Sequence, residues 1–211
     1  VVGKTGIGLQ FTQFLLALSG GHLWSVLLLI GLAAVVLGMG LPVTAAYIVL
    51  SVMAVPALND FGLPILTAHM IVFWLSQTSN VTPPIALAAF AGAGIANASP
   101  MRSAVQAFKL AQGFFLIPAM MAFSGLILGD GETLHFVIAI ATTAALIIAF
   151  AGGIEGRLIH PLNKPFRVVL LALALIMLFM DDSVRLAALA AVIGVVIINS
   201  KVNQQKTEMS H

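Results

Sequence analysis

Two short stretches of this chain combine helix-breaking residues with neutral oxygen donors. The first is Gly38-Met39-Gly40-Leu41-Pro42-Val43-Thr44, and the second is Ser76-Gln77-Thr78-Ser79-Asn80-Val81-Thr82-Pro83-Pro84. The hydroxyl and amide oxygens of Thr44, Thr78, Ser79, Asn80 and Thr82 suit a hard cation such as Na+. Gly38 and Gly40 let backbone oxygens approach closely. Pro42 and Pro83 interrupt helices, so each break leaves half-helix ends. Their N-termini offer unpaired N–H groups to an anion, and their C-termini offer carbonyls to a small cation. Neither stretch carries a carboxylate. A bound cation would therefore sit among neutral dipoles unless an anionic substrate or another segment compensates it.

Other chemistries fit the same residues less well. The chain has no cysteine, which excludes disulfides, thiol catalysis and Cys-ligated metal. His22, His69, His135 and His160 lie far apart without paired spacing, so no metal cluster is visible. On its apolar half-helix, His69 reads as a hydrogen-bonded packing residue before it reads as a ligand. Intramembrane proteolysis would need a nucleophile with a base, or a pair of membrane aspartates. Ser79 has no evident base, and Asp181-Asp182 resembles a turn. No cofactor and no enzymatic activity are expected, with Na+ as the coupling ion in view.

The elements that must position the two stretches are membrane helices. Hydrophobic residues make up 61% of the 211 residues and charged residues only 8%, more apolar surface than a soluble domain needs. Mean hydropathy is +1.13. Between Lys4 and Arg102 the only acidic or histidine side chains are His22, Asp60 and His69, so long segments bury nothing costly. The net charge of +2 rests on a few loop residues and argues orientation, not nucleic-acid binding.

The apolar legs Leu23 to Leu37 and Ala45 to Leu58 flank the first stretch. Each falls short of the roughly 20 residues needed to cross a bilayer. A re-entrant hairpin over 22–58 with its tip near the midplane follows, the alternatives being one long kinked helix or two short spans with a turn. Half-length runs from Pro64 and from Ile85 flank the second stretch. A polar nonapeptide at membrane depth is tolerated only when buried in protein or lining a cavity, so a discontinuous helix over 64–96 is the economical reading. An ordinary surface loop between two short helices is the alternative. A span is expected over 105–128 and further spanning helices over 129–200, with a polar tail at 201–211. Residues 1–21 read either as an amphipathic arm lying in the interface or as the tail of a spanning helix.

Basic residues in short loops favour the cytoplasmic side. Arg102 and Lys109, then Arg157, His160, Lys164 and Arg167, then Lys201 and Lys206 all fall inside if the chain alternates across the membrane with residues 129–133 and Asp181-Asp182 outside. The C-terminus is then cytoplasmic. Arg185 alone departs from the pattern and is expected to snorkel outward. The chain begins at Val1 without Met, which reads as a fragment of a longer protein.

Gly38 to Tyr47 and Ser79 to Ala88, with Gly6-Ile7-Gly8-Leu9 and Pro100-Met101-Arg102, resemble the large membrane subunit of tripartite ATP-independent periplasmic (TRAP) transporters, specifically the fused-permease branch. The likeness covers roughly residues 3–128. It implies an all-α polytopic membrane protein of the bacterial or archaeal cytoplasmic (inner) membrane. It further implies an elevator-type transport domain of two inverted repeats, this chain carrying the second. Gly38 to Thr44 would be the hairpin tip, and Ser79, Asn80, Thr82 and Pro83 the break that helps hold sodium and an organic acid. A periplasmic solute-binding protein would deliver the small organic anion, a dicarboxylate for example, and an ion gradient would drive symport without ATP. A missing N-terminal half and a small membrane subunit, here fused, would complete the permease in the lipid bilayer. Many non-fused relatives carry an acidic residue just before the tip's Pro-Thr pair, and Leu41-Pro42-Val43-Thr44 has none.

The residues thus read as the C-terminal part of an ion-gradient-driven importer of organic acids. The alternative is a non-transporting membrane scaffold or a truncated permease remnant.

Overall fold

The computed structural model describes residues 6–126 and 133–208. The expectations for residues 1–5, for the loop from Gly129 to Glu132, for the end of the span at Leu128 and for the last three residues of the tail lie outside them. The described residues are all-α apart from one isolated bridge between Arg157 and Pro161. They divide into two compact units, Val1–Ala122 and Phe123–His211.

In the first unit, α1 (Ile7–Ser19) stops at Gly20 and Gly21, both left-handed, as two consecutive glycines at a helix end allow. It is docked on its neighbour. A Cβ on Gly8 would come within 3.1 Å of Val52, and Thr12 Oγ1 donates to Met53 O at 2.9 Å. α2 (Leu23–Gly38) and α3 (Val43–Asp60) follow, joined by a tight turn in which the Gly40 and Leu41 N–H groups bond to Leu37 O. Pro42 opens α3 at φ −60°, a position where its missing N–H costs nothing. The second leg proves longer than the sequence suggested. Its 18 residues make it a helix long and apolar enough to cross a membrane, about 27 Å at 1.5 Å per residue. Polar Asn59 and Asp60 still sit in helical geometry there, and Gly62 at φ +84° ends the turn beyond.

α4 (Ile65–Ser76) gives way to a 3₁₀ turn (Gln77–Asn80), then irregular chain, then α5 (Leu87–Ile95). Contacts fix the directions. Gly31 faces Leu75 and Gly38 faces Ser79, so α2 runs parallel to α4. α3 turns back from α2 at residues 39–42 and so runs antiparallel to α4, with Tyr47 near its start touching His69 and Phe73. α2 and α3 therefore form a true helical hairpin, which excludes the long kinked helix. Small residues let the backbones close up: Gly31, Ala34 and Gly38 on α2 and Ala46, Ala54 and Ala57 on α3 are all buried. Leu28 and Leu32 on the outer side of α2 remain 65% and 62% exposed, a surface suited to lipid or protein and not to water.

The expected span before residue 128 is divided into α6 (Pro100–Leu110) and α7 (Gly113–Phe123) by a turn at residues 111–112. Gly113 starts the second piece, and Pro118 inside it removes one ladder hydrogen bond. Taken together, Pro100–Phe123 is long and apolar enough to cross.

The second unit holds α8 (Thr133–Glu155), α9 (Lys164–Phe179) and α10 (Asp182–Glu208). Thr133–Glu155 and Asp182–Ser200 complete the four helices of crossing length among the described residues. α8 packs at glycines, where a Cβ on Gly152 would lie 2.6 Å from Leu158 of the following loop and one on Gly153 2.6 Å from Leu171 of α9. Arg167 caps α8 from the neighbouring helix, its Nε donating to Gly153 O at 3.0 Å and its Nη2 to Ile154 O at 2.8 Å. α10 continues through the stretch expected as a polar tail as far as Glu208.

Arg185 corrects an expectation. It does not snorkel outward but is 5% exposed, and its guanidinium donates to Met177 O at 3.0 Å, Asp182 Oδ1 at 3.0 Å and Phe123 O at 2.9 Å. A buried charge is tolerated when its donors find carbonyls and a counter-ion, and this one finds both. Asp182 in turn meets His135 Nε2 at 2.9 Å.

Candidate functional site

The hairpin turn and the break meet at one point. Gly38, the last residue of α2, lies so close to the 3₁₀ turn that a Cβ there would sit 3.0 Å from Ser79 Cα and 3.2 Å from Ser79 N and Oγ. Two of those three atoms are backbone, which cannot swing away, so glycine is what permits the approach. Gly40 is different. It is exposed, and a Cβ would meet nothing within 4 Å. Of the two glycines expected to bring backbone close, only Gly38 does so.

Ser79 is 3% exposed, and its Oγ has no hydrogen-bond partner. Buried hydroxyls are almost always paired, because leaving one unmade costs about 1–3 kcal/mol. Its neighbours are fully engaged locally. Thr78 Oγ1 donates to Leu75 O at 2.8 Å, and Thr82 Oγ1 to Thr78 O at 2.6 Å. Thr78 O also accepts the N–H groups of Val81 at 3.0 Å and Thr82 at 2.9 Å. These bonds hold the break as a wound, buried knot, and not as a surface loop. Each threonine hydroxyl has spent its proton but keeps a lone pair for a cation.

Asn80 and Pro83 are half-buried at the edge of this knot. The Pro83–Pro84 peptide is cis. Two residues on, fully buried Ala86 adopts φ +38°, ψ +53° and opens α5. A left-handed alanine costs about 1–2 kcal/mol, and nothing in its identity announces that conformation. Pro42 and Thr44 are exposed on the α3 side of the turn. α3 opens there without a side-chain cap. Thr44 does not join Ser79. It lines a separate cleft of about 440 Å³ between α3 and α4, together with Tyr47 and His69. Tyr47 Oη and His69 Nδ1 are 3.0 Å apart. His69 is thus hydrogen-bonded, as its sequence context suggested, but to a partner 22 residues away that only the hairpin register supplies.

Among the described residues no group of three or more His, Asp or Glu could hold a metal ion. Residues 1–127 match the family model described as Tripartite ATP-independent periplasmic transporter, DctM component. The chain belongs to that family. It is therefore a multi-pass membrane component of a TRAP transporter, a transport protein, in a family that works with a periplasmic binding protein. The matched span ends within a few residues of the boundary between the two compact units, so the family's part of the chain corresponds closely to the first unit. No curated protein and no solved structure gives a match.

Proposed function

We propose that the chain serves a secondary transporter that imports small organic acids on an ion gradient, with the junction of Gly38 and Ser79 as the core of its coupling-ion site. One observation carries this reading: a buried hydroxyl without a partner, held against a helix end at a glycine where any side chain would crowd the Ser79 backbone. Around it lie the carbonyl end of α2 and the lone pairs of Thr78 and Thr82, a neutral oxygen set suited to Na+. Asn80 and Pro83 border the set, and Pro42, Gly40 and Thr44 complete the turn on its far side. Because these donors carry no charge, a cation held there would draw an anionic substrate toward it, which is how ion and carboxylate become coupled. A periplasmic solute-binding protein would deliver the acid, and the cytoplasmic membrane would hold the complex with its C-terminus inside.

Vesicles containing the whole permease and its solute-binding protein test the proposal. Uptake is expected to collapse when the sodium and proton gradients are abolished and to be indifferent to ATP. Ser79→Ala should lower uptake by about tenfold or more, the loss of one oxygen ligand worth about 1.4 kcal/mol. Uptake that requires ATP would sink the reading. Ion-independent binding with no uptake at all would favour a membrane scaffold.

A further inference from the structure

The cleft between α3 and α4 is separate from the Gly38–Ser79 junction and has the makings of a ligand site. Its volume of about 440 Å³ falls in the range of small-molecule pockets. Val43, Leu66 and Phe73 form apolar walls, while Thr44, Tyr47 and His69 bring three hydrogen-bonding side chains to one place. Such groups are costly in an apolar helix pair, and the bond between Tyr47 and His69 uses only part of their capacity. If the tyrosine donates to Nδ1, the imidazole keeps an Nε2–H. If Nδ1–H donates instead, the tyrosine keeps its O–H. In either tautomer one proton remains to be given, and the Thr44 hydroxyl adds a second.

We infer that this cleft binds a carboxylate with an apolar body, the carboxyl group accepting from the Tyr47–His69 pair and Thr44 while the body lies against Val43, Leu66 and Phe73. An acyl chain would satisfy the walls but leave all three polar groups unanswered. A small dicarboxylate would place its second charge on apolar surface. The inference rests on the transport reading only in taking an organic acid as the ligand, and it makes the cleft a selector for acids with one charged end.

The chain contains a single tyrosine, so tyrosine ¹³C-labelled at the ζ-carbon alone gives one signal, and that signal reports this cleft. With the chain in lipid nanodiscs, phenylacetate should shift it saturably, whereas neutral phenylacetamide and succinate should not at equal concentration. His69→Phe should raise the half-saturating concentration by at least about tenfold, and Thr44→Val on the exposed rim by a smaller factor. Equal responses to phenylacetate and phenylacetamide would mean a greasy groove and would overturn the inference without any variant. So would an unshifted signal at saturating phenylacetate, or a His69→Phe protein that responds like the wild type. Ion-driven uptake with an unshifted signal overturns the cleft and leaves the transport reading standing. A saturable, carboxylate-dependent shift without uptake does the reverse.

Discussion

At the scale of single residues, Gly38 and Ser79 separate geometry from chemistry. Adding a methyl to Gly38 pushes on the Ser79 backbone, so Gly38→Ala should destabilise the protein by about 1–3 kcal/mol, the usual effect of overpacking. Gly40→Ala points into open space and should stay within about 0.5 kcal/mol. Thermal unfolding of the detergent-solubilised protein distinguishes them, and equal effects would show that the turn, not the junction, governs both. Ser79→Ala gives an inverse signature. Without sodium it removes an unpaired buried hydroxyl and should leave stability unchanged or raise it by up to about 1–3 kcal/mol. With sodium, the wild type should gain a salt-specific rise in melting temperature over choline chloride, and Ser79→Ala should lose that rise. A serine of purely structural value would lose stability in both salts. Composition and order made these two positions readable, because glycines and hydroxyls in an apolar chain stand out. Ala86 was not readable: alanine carries no mark of a left-handed backbone, and only the wound break forces it there.

At the scale of elements, the hairpin and the broken helix were legible because polar and helix-breaking residues interrupt apolar runs at half-span length. Their pairing was not. Tyr47 and His69 meet only because α3 returns antiparallel to α4, and a 22-residue separation has no local pattern that announces it. The same holds for Arg185. Its sequence neighbours suggested a charge escaping to the surface, but the ends of α7 and α9 present unsatisfied carbonyls at Phe123 and Met177 that it serves as a cap. Arg185→Leu should therefore destabilise the second unit by about 2–4 kcal/mol, since it orphans two carbonyls and removes one of the two side-chain partners of the Asp182 carboxylate, His135 being the other. Asp182→Asn, which keeps the carbonyl bonds of the arginine, should cost less. Limited proteolysis of the 157–163 loop during thermal challenge measures both, and an Arg185→Leu protein as resistant as the wild type would assign the arginine no structural role.

At the scale of the whole molecule, the remaining question is how the helices cross the bilayer. Thr133–Glu155 and Asp182–Ser200 have crossing length, and α9 between them, at 16 residues or about 24 Å, falls short of the roughly 30 Å hydrocarbon core. Charge decides where length does not. Arg157, Lys164 and Arg167 cluster in and just after the loop between α8 and α9, while Asp181 and Asp182 occupy the turn between α9 and α10. If basic loops stay inside, α9 crosses despite its length, with its ends drawn into the headgroup layer by Lys164 and Arg167 at one side and the two aspartates at the other. The absence of cysteine makes the protein its own blank for a labelling experiment. A single cysteine at exposed Asn163 should resist a membrane-impermeant maleimide applied to intact cells and react once the membrane is broken. One at exposed Ser183 should react in intact cells. Labelling of both from outside would mean that α9 dips into the membrane and returns. The basic loop between α8 and α9 would then lie outside and the start of α8 inside, and the charge argument would fail for this chain.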